Sequence, residues 1–151
     1  MTALICGSFA YDTIMVFDGK FKDHILPDRT HMLNVAFLVP ELQRNYGGTA
    51  GNIIYNMKLL GGDGLAMGTV GADFGGYREW LKKHNINDKY VKTIESEYCA
   101  QAYITTDMED NQITAFHPGA MNHAHTQSVP TDEGIRMGIV APDGRDGMIE
   151  H

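Results

Sequence analysis

The sequence predicts an α/β fold that carries a small additional β layer, and three observations lead there. Short apolar runs at residues 3–7, 65–70 and 135–142 alternate with helix-like stretches, the pattern of a sheet flanked by helices. A glycine-rich loop, Gly47-Gly48-Thr49-Ala50-Gly51, opens the clearest apolar helix. The stretches near 31–46 and 98–117 break the alternation and read as a separate antiparallel β layer.

Each element follows from local chemistry. Residues 3–7 form a buried strand stopped by Gly7-Ser8, and residues 11–17 form a second strand closed by Asp18-Gly19. Residues 21–30 are polar, carry Pro27 and read as a loop or short helix, while 32–38 and 41–46 are extended around Val39-Pro40. Ile53, Ile54, Met57, Leu59 and Leu60 recur at helical spacing, and Gly61-Gly62 stops that helix. A strand at 65–70 leads into the turn 71–76, where Asp73 or a neighbour can cap a helix over 77–84 that ends at Asn85-Ile86-Asn87. A short strand spans 91–94. Residues 98–106 and 112–116 form a hairpin around the turn-compatible 107–111. A last strand lies within 135–142, and 143–146 starts another helix.

The chain breaks off at His151, where that helix should be running, and its final strand lacks the crossover partner a parallel sheet needs. The expectation is the N-terminal part, residues 1–151, of a single longer domain; the alternative is a natural short protein whose last turn frays.

Composition narrows the function. Twelve basic against nineteen acidic residues give a formal charge of −7 without charged blocks, so no nucleic-acid-binding face is expected. No window suits a signal peptide or a bilayer span, so no membrane association is expected. Cys6 and Cys99 form neither a zinc spacing nor a disulfide framework, which favours a reducing cytoplasm. His117, His123 and His125 have no carboxylate or cysteine at ligand spacing, and the acidic cluster Asp107, Glu109 and Asp110 lacks the glycine and closing glutamate of a calcium loop, so no metal site is expected. Cys99 has no neighbour in sequence that would activate it.

Two motifs carry chemistry. Adjacent glycines at 47–48 allow positive φ and close backbone approach, and the helix behind them aims its amides at that spot. Asn52 offers both a donor and an acceptor, which suits a diol. The loop alone fits either a ligand cradle or a tight helix cap. It is not a phosphate-binding P-loop, because no Gly-Lys-Ser/Thr follows, and the first strand is not followed by a dinucleotide fingerprint. The second motif is the stretch 7–12: Ser8 stands at the end of the first strand, and Asp12 is a carboxylate that could accept sugar hydroxyls or simply form a turn.

In combination these features resemble the PfkB, or ribokinase-like, family of carbohydrate and nucleoside kinases. The resemblance rests on Gly7-Ser8 with Asp12, on Gly47-Gly48-x-Ala50-Gly51-Asn52, on Leu60-Gly61-Gly62 and on Val70-Gly71-Ala72-Asp73-Phe74-Gly75, and it covers the whole chain. The segments 9–12, 37–39, 77–82 and 116–121 are most similar to the bacterial adenosine kinase branch. The resemblance implies a ribokinase-like three-layer α/β sandwich, here its incomplete N-terminal half, with a β lid near 31–46 and 98–117. It implies an ATP- and Mg2+-dependent phosphotransferase acting on a sugar or nucleoside hydroxyl, with adenosine leading and ribose or fructose as alternatives. It matches Asp12 and Asn52 to sugar-binding groups, Gly48 to a glycine whose backbone faces the sugar beside Gly47, and Ser8 to a neighbour at the strand end. Phe37 and Phe116 could pack on a base or sugar face, or serve as lid or interface core, and the lid could build a homodimer. The family's second signature, Asp-Thr-x-Gly-Ala-Gly-Asp, is absent from these residues. That signature supplies the catalytic base and the anion hole, so no catalytic residue is expected here and this piece alone is expected to be inactive. A non-catalytic ligand-binding or dimerising half is the competing reading, and a dinucleotide-binding oxidoreductase domain is disfavoured by the position of the glycine loop.

Overall fold

A computed structural model describes residues 2–25, 27–28, 33–131 and 134–151. The chain divides into two compact units: Met1–Tyr11, Tyr46–Gln101 and His117–His151 form the first, Asp12–Asn45 and Ala102–Phe116 the second.

The first unit is built on a parallel sheet. Strands β1 (Thr2–Cys6), β4 (Gly64–Gly71), β5 (Asn87–Ile94) and β8 (Ile135–Val140) lie in the order β5-β4-β1-β8. Every residue of β4 is buried, as expected for a strand inside a parallel sheet covered on both faces. Strand alternation divides β1 between two cores. Ala3 and Ile5 join the larger cluster, with Ile54 of α1 (Thr49–Leu59) and Tyr77 and Leu81 of α2 (Gly75–Lys83); Leu4 and Cys6 face the opposite side with Leu65 and Met67. Helix α2 is the crossover between the parallel neighbours β4 and β5. At the sheet edge, Met137 and Val140 of β8 remain 49% and 48% exposed.

The helix ends follow the chemistry of their residues. After α1, Gly61 takes φ +77°, its N–H donates to the Lys58 carbonyl, and the Gly62 N–H donates to Met57. After α2, Asn85 takes φ +54°, with Asn85 N–H bonded to Lys82 and Ile86 N–H to Leu81. Both are Schellman closures, placed where a residue tolerant of left-handed backbone follows the helix. One expectation needs correction. Leu59 and Leu60 are 66% and 88% exposed, so the buried stripe of α1 is narrower than its apolar spacing implied. Of Asp73 or a neighbour as the cap of α2, it is the neighbour Phe74 that takes the N-cap, without a side-chain hydrogen bond, and the Asp73 carboxylate accepts the Cys99 N–H at 2.7 Å.

A 3-10 segment, Gly119–Thr126, was not anticipated from sequence. It lies against β4, where the buried Thr69 hydroxyl donates to the Ala120 carbonyl at 2.6 Å. The expected final strand and helix appear as β8 and α3 (Arg145–Glu150).

The second unit centres on a sheet ordered β3-β2-β6-β7, from β2 (Ala10–Val16), β3 (Glu41–Gly47), β6 (Ala100–Thr106) and β7 (Gln112–His117). Neighbours β6 and β7 are joined by five residues, too short for a parallel crossover, so they form the expected antiparallel hairpin. The β layer also recruits β2, which the strand–helix alternation had not assigned to it. Residues 33–39 contain no helix or strand; His31 and Met32 of the expected lid segment, and Leu26, Arg29 and Thr30 of the expected loop, lie outside the described residues.

Asp107 organises the hairpin turn. Its Oδ1 accepts the amides of Glu109 and Asn111, both at 2.9 Å, and its Oδ2 accepts the Phe21 amide at 2.9 Å, tying the turn to the 3-10 segment Phe21–Asp23. Burial pushes this carboxyl up in pKa. The bonds from Phe21, Asn111 and Glu109 outweigh burial and hold it down at about 2. A carboxyl held below its unfolded value stabilises the fold above that value and loses its contribution as pH falls through the folded one. The advantage of wild type over Asp107→Asn in urea midpoint is therefore expected to be full near neutrality and to vanish between about pH 4, the free carboxylate value, and pH 2. A difference independent of pH across that window would refute this role.

Candidate functional site

The glycine loop is held by close backbone packing. Gly48 has φ +88° and ψ 152°, and a Cβ on it would lie 2.5 Å from the Ser8 carbonyl oxygen and 2.6 Å from the Ala10 nitrogen. Only glycine combines that dihedral with that approach. The approach lets the β1–β2 turn cap α1. Thr49 N–H donates to Ser8 Oγ at 3.1 Å, and Ala50 N–H donates to the Ser8 carbonyl at 3.0 Å. The Thr49 hydroxyl donates to the Pro142 carbonyl at 2.7 Å, binding the start of α1 to the end of β8. Two amides of the first helical turn are thus consumed by Ser8 and are not offered to an anion. Tyr77 of α2 donates its hydroxyl to the Gly47 carbonyl at 2.9 Å. Asn52, one turn into α1, has an exposed side chain, and its carbonyl accepts the Asn56 amide group at 2.8 Å.

Of the residues singled out by sequence, Ser8, Gly47 and Gly48 come together in the first unit, with Asn52 on the helix they open. Ser8 is 7% exposed, and its hydroxyl works as the helix cap. Asp12, Phe37 and Phe116 belong to the second unit. Asp12 is half-buried on β2, and burial raises its pKa; no donor among the described residues reaches its carboxylate. Phe37 packs with Phe17 and Phe21, at ring separations of 4.8 and 4.9 Å, in an aromatic cluster completed by His24. Phe116 on β7 is 54% exposed and makes no ring contact among the described residues.

Further polar groups surround this loop or lie elsewhere in the first unit. The Tyr11 hydroxyl donates to the Asp73 carbonyl at 2.9 Å, which anchors the residue immediately before Asp12. Cys99 is buried, and its sulfur accepts the Gly71 N–H at 3.2 Å. Burial, with the nearby Asp143, pushes the Cys6 thiol up to about 11. Asp143 is itself pushed up to about 6 by burial, against the opposing Gly144 amide and His151, and its Oδ2 has no hydrogen-bond partner among the described residues. His123 lies 3.4 Å from Glu97, and among the described residues no three His, Cys, Asp or Glu side chains converge to hold a metal.

The profile of the pfkB family of carbohydrate kinases matches residues 12–134. The nucleoside kinase of Burkholderia thailandensis, solved in complex with inosine, superposes with a TM-score of 0.85 at 47% identity, covering 99% of this chain and 47% of that one. The Methanocaldococcus jannaschii nucleoside kinase is 37% identical over 92 residues, 60% of this chain and 30% of that protein. Its crystal structure, that of an archaeal member of the ribokinase family, superposes with a TM-score of 0.83 at 27% identity over 99% of this chain and 48% of that one. The chain thus spans about half the length of its solved relatives and less of the curated one. The α/β architecture is that of ribokinase-like kinases, and with more than half of its residues matched by one profile, this chain belongs to the pfkB family of carbohydrate kinases.

Proposed function

We propose that this chain is the acceptor-binding part of an ATP-dependent nucleoside kinase. The observation that carries the reading is the Gly47–Asn52 loop, seated on the end of β1 with its first helical amides spent on Ser8, in a chain 47% identical to a nucleoside kinase solved with inosine. A loop with those amides already paired is better suited to presenting backbone and Asn52 to hydroxyl groups than to cradling phosphate.

Asp12 and Asn52 are each proposed to bond acceptor hydroxyls. A half-buried carboxylate that no donor among the described residues reaches pays desolvation without return, and ligand hydroxyls would supply the missing bonds. Adenosine is the leading acceptor, inosine follows from the relative, and ribose or fructose are the alternatives. ATP is the proposed donor. Magnesium is proposed to accompany ATP; among the described residues no three His, Cys, Asp or Glu side chains converge, and the phosphate side of the reaction is not assigned to them. The Asp-Thr-x-Gly-Ala-Gly-Asp signature does not occur in the sequence, so base and anion hole would come from elsewhere and this chain alone should not turn over. Exposed Tyr103, Ile113 and Phe116 favour a homodimer through the β layer, and two buried cysteines that form no disulfide suit a reducing cytoplasm.

Two measurements test this. Isothermal titration of the chain with adenosine, inosine, ribose and fructose should show nucleoside binding, while a coupled ADP-release assay with ATP and Mg2+ shows no turnover; sustained ADP release would refute the proposed division of labour. Asp12→Ala should weaken nucleoside binding by about 1.5–3 kcal/mol, the worth of a hydrogen bond to a charged group. Because burial raises the Asp12 pKa, wild-type affinity should fall with acidification from above the ordinary carboxylate range, and that pH dependence should disappear in the variant. Equal affinities would remove Asp12 from the site.

A further inference from the structure

We propose that Tyr77 is a positioning residue that sets the orientation of the Gly47–Gly48 peptide, and that Gly51 is glycine because the Tyr77 hydroxyl occupies the space of its side chain. This deepens the acceptor-site reading above and rests on it for its functional consequence, but its structural content stands on separate observations.

Two consecutive glycines give the softest possible backbone, with no side chain to choose between peptide orientations. The peptide joining them is planar and trans, so fixing the Gly47 carbonyl fixes the Gly48 N–H in the opposite direction. On one side, Gly48 is pressed against the backbone of Ser8, Phe9 and Ala10. On the other, the Tyr77 hydroxyl donates to the Gly47 carbonyl at 2.9 Å. Tyr77 is 1% exposed, and its ring is held by Phe9 at 5.6 Å, Phe74 at 4.9 Å and Tyr46 at 4.7 Å. A buried hydroxyl on a ring packed this tightly cannot follow a wandering carbonyl; it selects one orientation.

Gly51 completes the arrangement. It lies in the first turns of α1 at negative φ, where alanine would ordinarily favour the helix. A Cβ there would overlap the Tyr77 hydroxyl, while the next atom, ring carbon Cζ, would be at 3.2 Å. The obstruction is therefore the hydroxyl itself. Gly51 leaves the passage through which Tyr77 reaches Gly47, which gives the last glycine of the loop a role distinct from that of the first two.

The test uses Tyr77→Phe, Gly51→Ala and the double variant. Tyr77→Phe keeps the ring contacts and removes the hydroxyl alone. Hydrogen exchange measured by mass spectrometry should rise about five- to tenfold across residues 47–52, the effect of losing one hydrogen bond, with β1 and β4 unchanged. Gly51→Ala should lower Tm, and adding Tyr77→Phe should restore part of that loss, because the obstructing oxygen is gone. Inosine affinity of Tyr77→Phe should fall about fivefold, from the same lost bond. Unchanged exchange at 47–52 in Tyr77→Phe, or a double variant no more stable than Gly51→Ala, would overturn the proposal. Failure of wild type to bind any nucleoside, with exchange and suppression as expected, would overturn the acceptor reading and leave the Tyr77 anchor supported.

Discussion

The structure depends on the close approach of Gly48 to the backbone of Ser8, Phe9 and Ala10. A side chain there would stand 2.5–2.7 Å from three backbone atoms of the turn that follows β1. Because the approach is possible, the strand end can cap α1 through Ser8, and Thr49 can reach the Pro142 carbonyl. One loop therefore joins the ends of β1, β3 and β8 to the start of α1. In an open α/β sheet, the carboxyl ends of the strands are where ligands bind, so the residue that makes the packing possible also shapes the surface an acceptor would meet.

Behind that loop the fold uses aromatic packing in place of polar contacts. Phe9, Tyr11, Tyr46, Phe74, Tyr77 and Trp80 form a run of neighbouring rings between the sheet and the helices, with separations from 4.7 to 6.0 Å. Such pairs contribute about 0.5–1.5 kcal/mol each beyond the area they bury. The tyrosines also place polar tips at chosen points, Tyr11 on the Asp73 carbonyl and Tyr77 on Gly47. Rigid rings with a hydroxyl at the far end can hold a flexible glycine loop without burying a charge. Among the charged pairs, Lys20 and Lys22 meet Glu109 at the exposed hairpin turn, where screening leaves little net stabilisation. At that turn the work is done by Asp107, through neutral backbone amides.

The parallel sheet, both crossover-type helices and the hairpin were legible in the sequence because each rests on neighbours within a few residues. Buried runs such as Leu4-Ile5-Cys6, the stop at Gly61-Gly62, the left-handed Asn85 and the turn at 107–111 all declare themselves locally. The glycine loop was legible as a place where backbone must approach something closely, and the resemblance to the PfkB pattern turned that into a family that the profile match now shows. Membership of β2 in the second sheet was not legible, since an isolated strand carries no label of its partner. Nor was the 3-10 segment at 119–126, whose anchor is the distant Thr69 hydroxyl. Phe37 entered as either a ligand-stacking ring or lid core, two roles indistinguishable in sequence; the structure packs it among Phe17, Phe21 and His24.

Residue type and spacing alone were thus enough to specify the α/β architecture and to mark 47–48 as a place of close backbone approach. What the Gly47–Asn52 loop touches was decided only by tertiary packing. Ser8 became a helix cap for Thr49, 41 positions away; Asp73 became the acceptor for Cys99 and Tyr11, 26 and 62 positions away; Tyr77 became the anchor of Gly47 across 30. Backbone preferences are set by near neighbours, so they can be read along the chain. The partner of a buried donor is set by which surfaces close-pack once the strands have paired, and no single segment contains that information.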